Sequence, residues 1–62
     1  SRNSFFVRTS SDKAAVEAAF GKVTYVSAGI DGEIGFTTGE MSESEFEESA
    51  AKIELINRIR LG

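Results

Sequence analysis

Residues 9–12 read Thr-Ser-Ser-Asp, three hydroxyls and a carboxylate in a row. They stand between an aromatic, β-branched run, "SFFVRT" at 4–9, and an alanine-rich segment whose Val16 and Phe20 are four apart. The free N–H groups at a helix N-terminus attract a carboxylate or phosphate, and neighbouring hydroxyls add hydrogen bonds. Thr9, Ser10, Ser11 and Asp12 are therefore the candidate ligand-binding residues. A competing role is helix capping by Ser11 or Asp12. For Asp12 capping is favoured, because its negative charge opposes an anion. For Thr9 and Ser10 both roles stay open.

Little else in the chain is equipped for chemistry. It has no histidine and no cysteine, so the usual zinc sets, Ser-His and Cys-His centres and disulfides are all absent. No phosphate loop appears, and no cofactor or metal is expected. The acidic run "ESEFEES" has a structural explanation, since acids stabilise a helix N-terminus. Seven basic and ten acidic residues give a net charge of −3, the opposite of a nucleic-acid-binding face. No apolar run approaches the ~18 residues of a membrane span. Lack of cysteine fits a cytoplasmic setting. The first residue is Ser1 rather than Met, and residues 1–62 read as one domain cut from a longer protein.

The elements follow from periodicity. Residues 4–9 form a strand, apolar on both faces and hence central. Residues 12–20 form a helix ended by Gly21. In "VTYVSAGIDGEIGFTT", 23–38, Asp31-Gly32 predicts a type I′ hairpin turn. Its two-residue loop pairs Ile30 with Glu33 and Ser27 with Phe36. Val23, Tyr25, Ile34 and Phe36 then share a bulky face beneath helices. Thr24, Val26, Ala28, Gly35 and Thr37 share an open one. Ser42 and Glu45 form a capping box, with Met41 and Phe46 placed as a hydrophobic staple. Phe46, Ala50 and Ile53 continue that helix inward, and Glu48 and Lys52 make an outer i,i+4 pair. "LINRIRLG" alternates, with Ile59 and Leu61 opposite Arg58 and Arg60, as in a half-buried strand. A single longer second helix running to Arg60 is the alternative.

The order β-α-β-β-α-β, with both crossover helices on one face, is the ferredoxin-like α+β plan. The sheet is a four-stranded antiparallel one in the spatial order 4-1-3-2. "GEIGF" has a faint likeness to an RNA-recognition strand, which needs exposed aromatics; Phe36 falls on the core face instead. Acylphosphatases share the plan and invite comparison at Arg8 and Asn57, but their phosphate-cradling loop is missing.

The layout, with "KVTYVSAGIDGEIGFTTGEM" followed by a helix and "INRIRLG", resembles an ACT domain over residues 4–61. Where many ACT domains carry Asp-x-x-Gly in the first loop, this chain has "TSSDK", without the glycine. The resemblance implies a non-catalytic regulatory domain of an enzyme of amino-acid metabolism. It also implies homodimerisation and an amino acid bound near the first loop, at Thr9, Ser10, Ser11 and Asp12. A purely structural assembly domain is the alternative. So small a chain buries only ~60% of its unfolded surface, which favours association.

Overall fold

The computed structural model describes all residues 1–62. The chain runs β1 (Ser4–Thr9), α1 (Lys13–Phe20), β2 (Val23–Val26), β3 (Ile34–Thr38), α2 (Glu43–Ala50) and β4 (Leu55–Leu61). The sheet order is β2-β3-β1-β4, with every neighbouring pair antiparallel. This is the ferredoxin-like α+β fold. β1 is central and β2 and β4 are the edges, as the two-sided apolarity of β1 requires.

Strand parity decides what is buried. Phe5, Val7 and Thr9 of β1 point under the helices and are fully buried. Phe36 joins them from β3, Val16 from α1, and Phe46 and Ala50 from α2. Val23, Tyr25 and Ile34 close the rim on the same side, as their spacing predicts. The centre of this core is aromatic. The Phe5 and Phe46 rings stack with centroids 4.1 Å apart, and Phe20 meets Phe36 edge-on at 5.2 Å.

α1 is too short to hold itself. Asp12 caps it by accepting from the Ala15 N–H at 2.9 Å, and Gly21 ends it at a φ of 75°. α2 begins in a complete capping box. The Ser42 hydroxyl accepts from the Glu45 N–H at 3.1 Å, and the Glu45 carboxylate accepts from the Ser42 N–H at 2.9 Å. That N–H, together with the nearby Arg2 guanidinium, holds the Glu45 carboxyl below the usual carboxylate range. Ser42→Ala should therefore lower stability by about 0.5–2 kcal/mol. A thermal melt of the variant at neutral pH that superimposes on the parent would show the cap to be idle.

The hairpin departs from the expected one. Tyr25 lies opposite Phe36 and Val26 opposite Gly35, a shift of two residues from the two-residue-loop register. The loop is correspondingly longer, running from 27 to 33. Asp31 does not have positive φ, whereas Gly32 has φ 83°, so the turn is not type I′; the Glu33 N–H closes it on the Ile30 carbonyl at 3.3 Å. A two-residue shift keeps every side chain on its face, and it sets two core-side aromatics, Tyr25 and Phe36, directly across from each other. It also lays the main chain of Ala28 over Gly35. A β-carbon at position 35 would sit 3.1 Å from the Val26 carbonyl oxygen and 3.2 Å from the Ala28 main chain.

α2 stops at Ala50, so the longer second helix is not formed. Lys52 consequently lies beyond it, and the expected Glu48–Lys52 pair is absent; α2 pairs instead through Glu43 and Glu47 with Arg58 and through Glu45 with Arg2. β4 alternates as predicted, but with the burial reversed. Arg58 is its only half-buried residue, while Ile59 and Leu61 are exposed. Arg58 lies opposite Val7, on the helix side. Its guanidinium covers the Phe46 ring at 4.5 Å, and the two glutamates on α2 hold it there, raising its pKa. An arginine stem spreads over apolar surface while its head stays paired, so the cation rather than the isoleucine roofs this edge of the core.

Candidate functional site

The first loop holds all four sequence-derived candidates, and most of their polar groups are engaged inside the fold. Thr9 is fully buried. Its hydroxyl donates to the Glu54 carbonyl at 2.7 Å and accepts from the Ser11 N–H at 3.0 Å. The Ser11 hydroxyl accepts from the Glu54 N–H at 2.9 Å. The Ser10 N–H donates to the same Glu54 carbonyl at 3.2 Å. Three of these four bonds clasp the β1–α1 junction to Glu54, the residue that leads into β4, and the fourth ties Ser11 to Thr9 within the loop. An extra residue in β4 at Ile56 shifts the register there, with Asn57 opposite Arg8 and Leu55 opposite Thr9. Asp12 is the α1 cap. The Ser10 side chain alone faces solvent with no partner in the fold.

Two depressions mark the surface. One, of about 570 Å³, is lined by polar and charged residues alone and lies between the chain start, the α2 N-terminus and Arg60. The other, of about 360 Å³, lies between Lys13 and the β2–β3 loop and is half apolar. Two of its three charged groups are engaged, Lys13 and Glu33. The Lys13 ammonium sits 4.7 Å above the Tyr25 ring, and Glu33 accepts from Arg8 Nε at 2.9 Å. The Tyr25 hydroxyl donates to Glu17 at 2.9 Å. Partial desolvation, followed by that carboxylate, raises the Tyr25 pKa. No three His, Cys, Asp or Glu side chains converge as a metal site, and no helix is long and apolar enough to cross a membrane.

The most unusual surface is the side of the sheet away from the helices. Phe6, Thr37 and Thr24 lie in one row across β1, β3 and β2, and Ile59 extends that row onto β4. Leu61 and Val26 flank it. Ile59, Leu61 and Val26 are 50%, 40% and 42% exposed. Sequence periodicity points to the small residues of this face but not to its bulky half. The signal was there: Phe6 alternates with the core residues Phe5 and Val7, and Ile59 with the arginines. Only the register of β1 against β4 sets Phe6 and Ile59 directly opposite each other.

No protein-family model matches the chain, and neither a curated protein nor a solved structure matches it significantly.

Proposed function

We propose that this chain is a non-catalytic assembly module, ACT-like in plan, that joins subunits of a cytoplasmic enzyme of amino-acid metabolism. One observation carries the reading: six large apolar residues are exposed, as many as the six that form the core. Each is 39–51% exposed, and covering part of that surface, at about 25 cal/mol per Å² of apolar area, adds to the ~3–5 kcal/mol that a core of this size supplies. A domain below ~70–80 residues without disulfide or metal draws on such association. Sedimentation equilibrium across a hundredfold dilution from the micromolar range tests it. A mass above that of one chain, falling on dilution, is expected; a constant 6.7 kDa throughout overturns it.

Amino-acid binding is the second reading. It is favoured by the half-apolar depression next to the start of α1, whose lining includes Lys13, Asp31, Ile30 and Ile34. A cation, a carboxylate and apolar walls are what a zwitterionic ligand with an apolar side chain requires. Isothermal titration with a panel of amino acids decides it: heat saturating at one site per chain supports binding, and heats of dilution throughout remove it.

A further inference from the structure

We propose that the open face of the sheet binds a second copy of this chain, the two sheets stacked face to face about a two-fold axis parallel to the strands. The inference rests on the assembly reading and adds the partner, the surface and the orientation.

Three observations select this occupant. The first is charge. The chain carries −3, yet the strand positions of this face hold a single charged residue, Arg8, and Glu33 neutralises it. The acids of α2 and the two arginines of β4 lie on the helix side. Two copies therefore meet here without the repulsion that their net charges create elsewhere, and a strongly charged partner finds nothing complementary.

The second is area. A stable interface takes about 800 Å² from each partner. That is roughly a fifth of the 3840 Å² surface of this chain, about what one broad face of a two-layer molecule offers.

The third is shape. The face is bulkier on its β1–β4 half, with Phe6, Ile59 and Leu61, than on its β3–β2 half, where Gly35, Thr37 and Thr24 are small and Val26 is the one larger side chain. The row Thr24–Thr37–Phe6–Ile59 crosses the sheet at one level. A two-fold axis along the strands reverses that row on the second copy. Ile59 then lies over Thr24 of the other copy, and Phe6 over its Thr37. Large side chains fall on small ones, and stacked sheets at about 10 Å spacing interdigitate. An axis across the strands would set bulky half against bulky half and leave the threonines apart.

The test uses the whole 62-residue chain, which has no cysteine to interfere. Ile59→Lys alters a side chain half exposed in the single chain, so circular dichroism should show the fold retained. Its dimer dissociation constant should rise at least tenfold, while Glu48→Lys, on the exposed side of α2, should leave it near the parent value. A mixture of Thr24→Cys and Ile59→Cys chains, treated with a bis-maleimide spanning about 10 Å, should cross-link between the two variants and not within either. An Ile59→Lys dimer of parental strength overturns the face as interface while leaving association intact. Cross-linking of Ile59→Cys to itself alone places the contact at the β4 edge or across the other axis and overturns the orientation. A parent chain that stays monomeric removes the assembly reading beneath it.

Discussion

Phe46→Ala should leave the chain unfolded at room temperature. Phe46 is fully buried and touches every layer of the molecule. Its ring stacks on Phe5 of β1 at 4.1 Å, meets Phe20 of α1 at 5.7 Å, and carries the Arg58 guanidinium of β4 at 4.5 Å. Truncating a buried phenylalanine costs about 3–5 kcal/mol. A single core of this size supplies about the same amount in total. The loss also strands Arg58, whose position over the ring is what keeps the β4 edge roofed. Amide chemical shifts collapsed to random-coil values are the expected result at low micromolar concentration. Phe46→Leu, closer in volume, should remain folded with a lowered melting temperature. A cooperative melt of Phe46→Ala close to that of the parent would mean that the core is not centred on this ring.

Thr9→Val should cost about 1–3 kcal/mol, although the two side chains are nearly the same shape. The hydroxyl of Thr9 is both donor to Glu54 and acceptor from Ser11. Replacing it with a methyl group leaves the Ser11 N–H without its acceptor, and the Glu54 carbonyl keeps only the longer bond from the Ser10 N–H. Unmade bonds at enclosed sites cost more than made bonds gain. Chemical denaturation of Thr9→Val and Ser10→Ala side by side reads out the role of the loop. The clasp predicts a large drop for Thr9→Val and a change within about 0.5 kcal/mol for the exposed Ser10→Ala. If Thr9→Val is as stable as the parent, the hydroxyl is free of structural duty and the ligand reading gains. If Ser10→Ala is the costly one, the loop is held by contacts other than the clasp to Glu54.

Local chemistry was legible in the sequence because its partners are close along the chain. The Ser42–Glu45 capping box, the Asp12 cap and the Gly21 helix stop each involve residues no more than four apart, so residue type nearly dictates geometry. Strand parity was equally legible. Phe5 and Val7 of β1, Val16 and Phe20 of α1, and Val23, Tyr25, Ile34 and Phe36 of the hairpin all face the core, because a period of two or 3.6 fixes the face before any partner is chosen. The element order, given the handedness of crossovers, leads to the spatial order 4-1-3-2, and the sheet has that order. What depends on distant residues was decided only by the tertiary structure. The Asp31-Gly32 pair allows a tight turn, yet the cross-strand placement of Tyr25 and Phe36 and the close approach of Ala28 to Gly35 set the register two residues away. Thr9 and Ser11 look alike as ligand or structural hydroxyls until Glu54, over forty residues on, arrives beside them. The alternation of β4 named its two faces without saying which one meets the helices. That choice fell to the acidic α2, whose Glu43 and Glu47 draw Arg58 over the Phe46 ring and turn Ile59 and Leu61 outward beside Phe6.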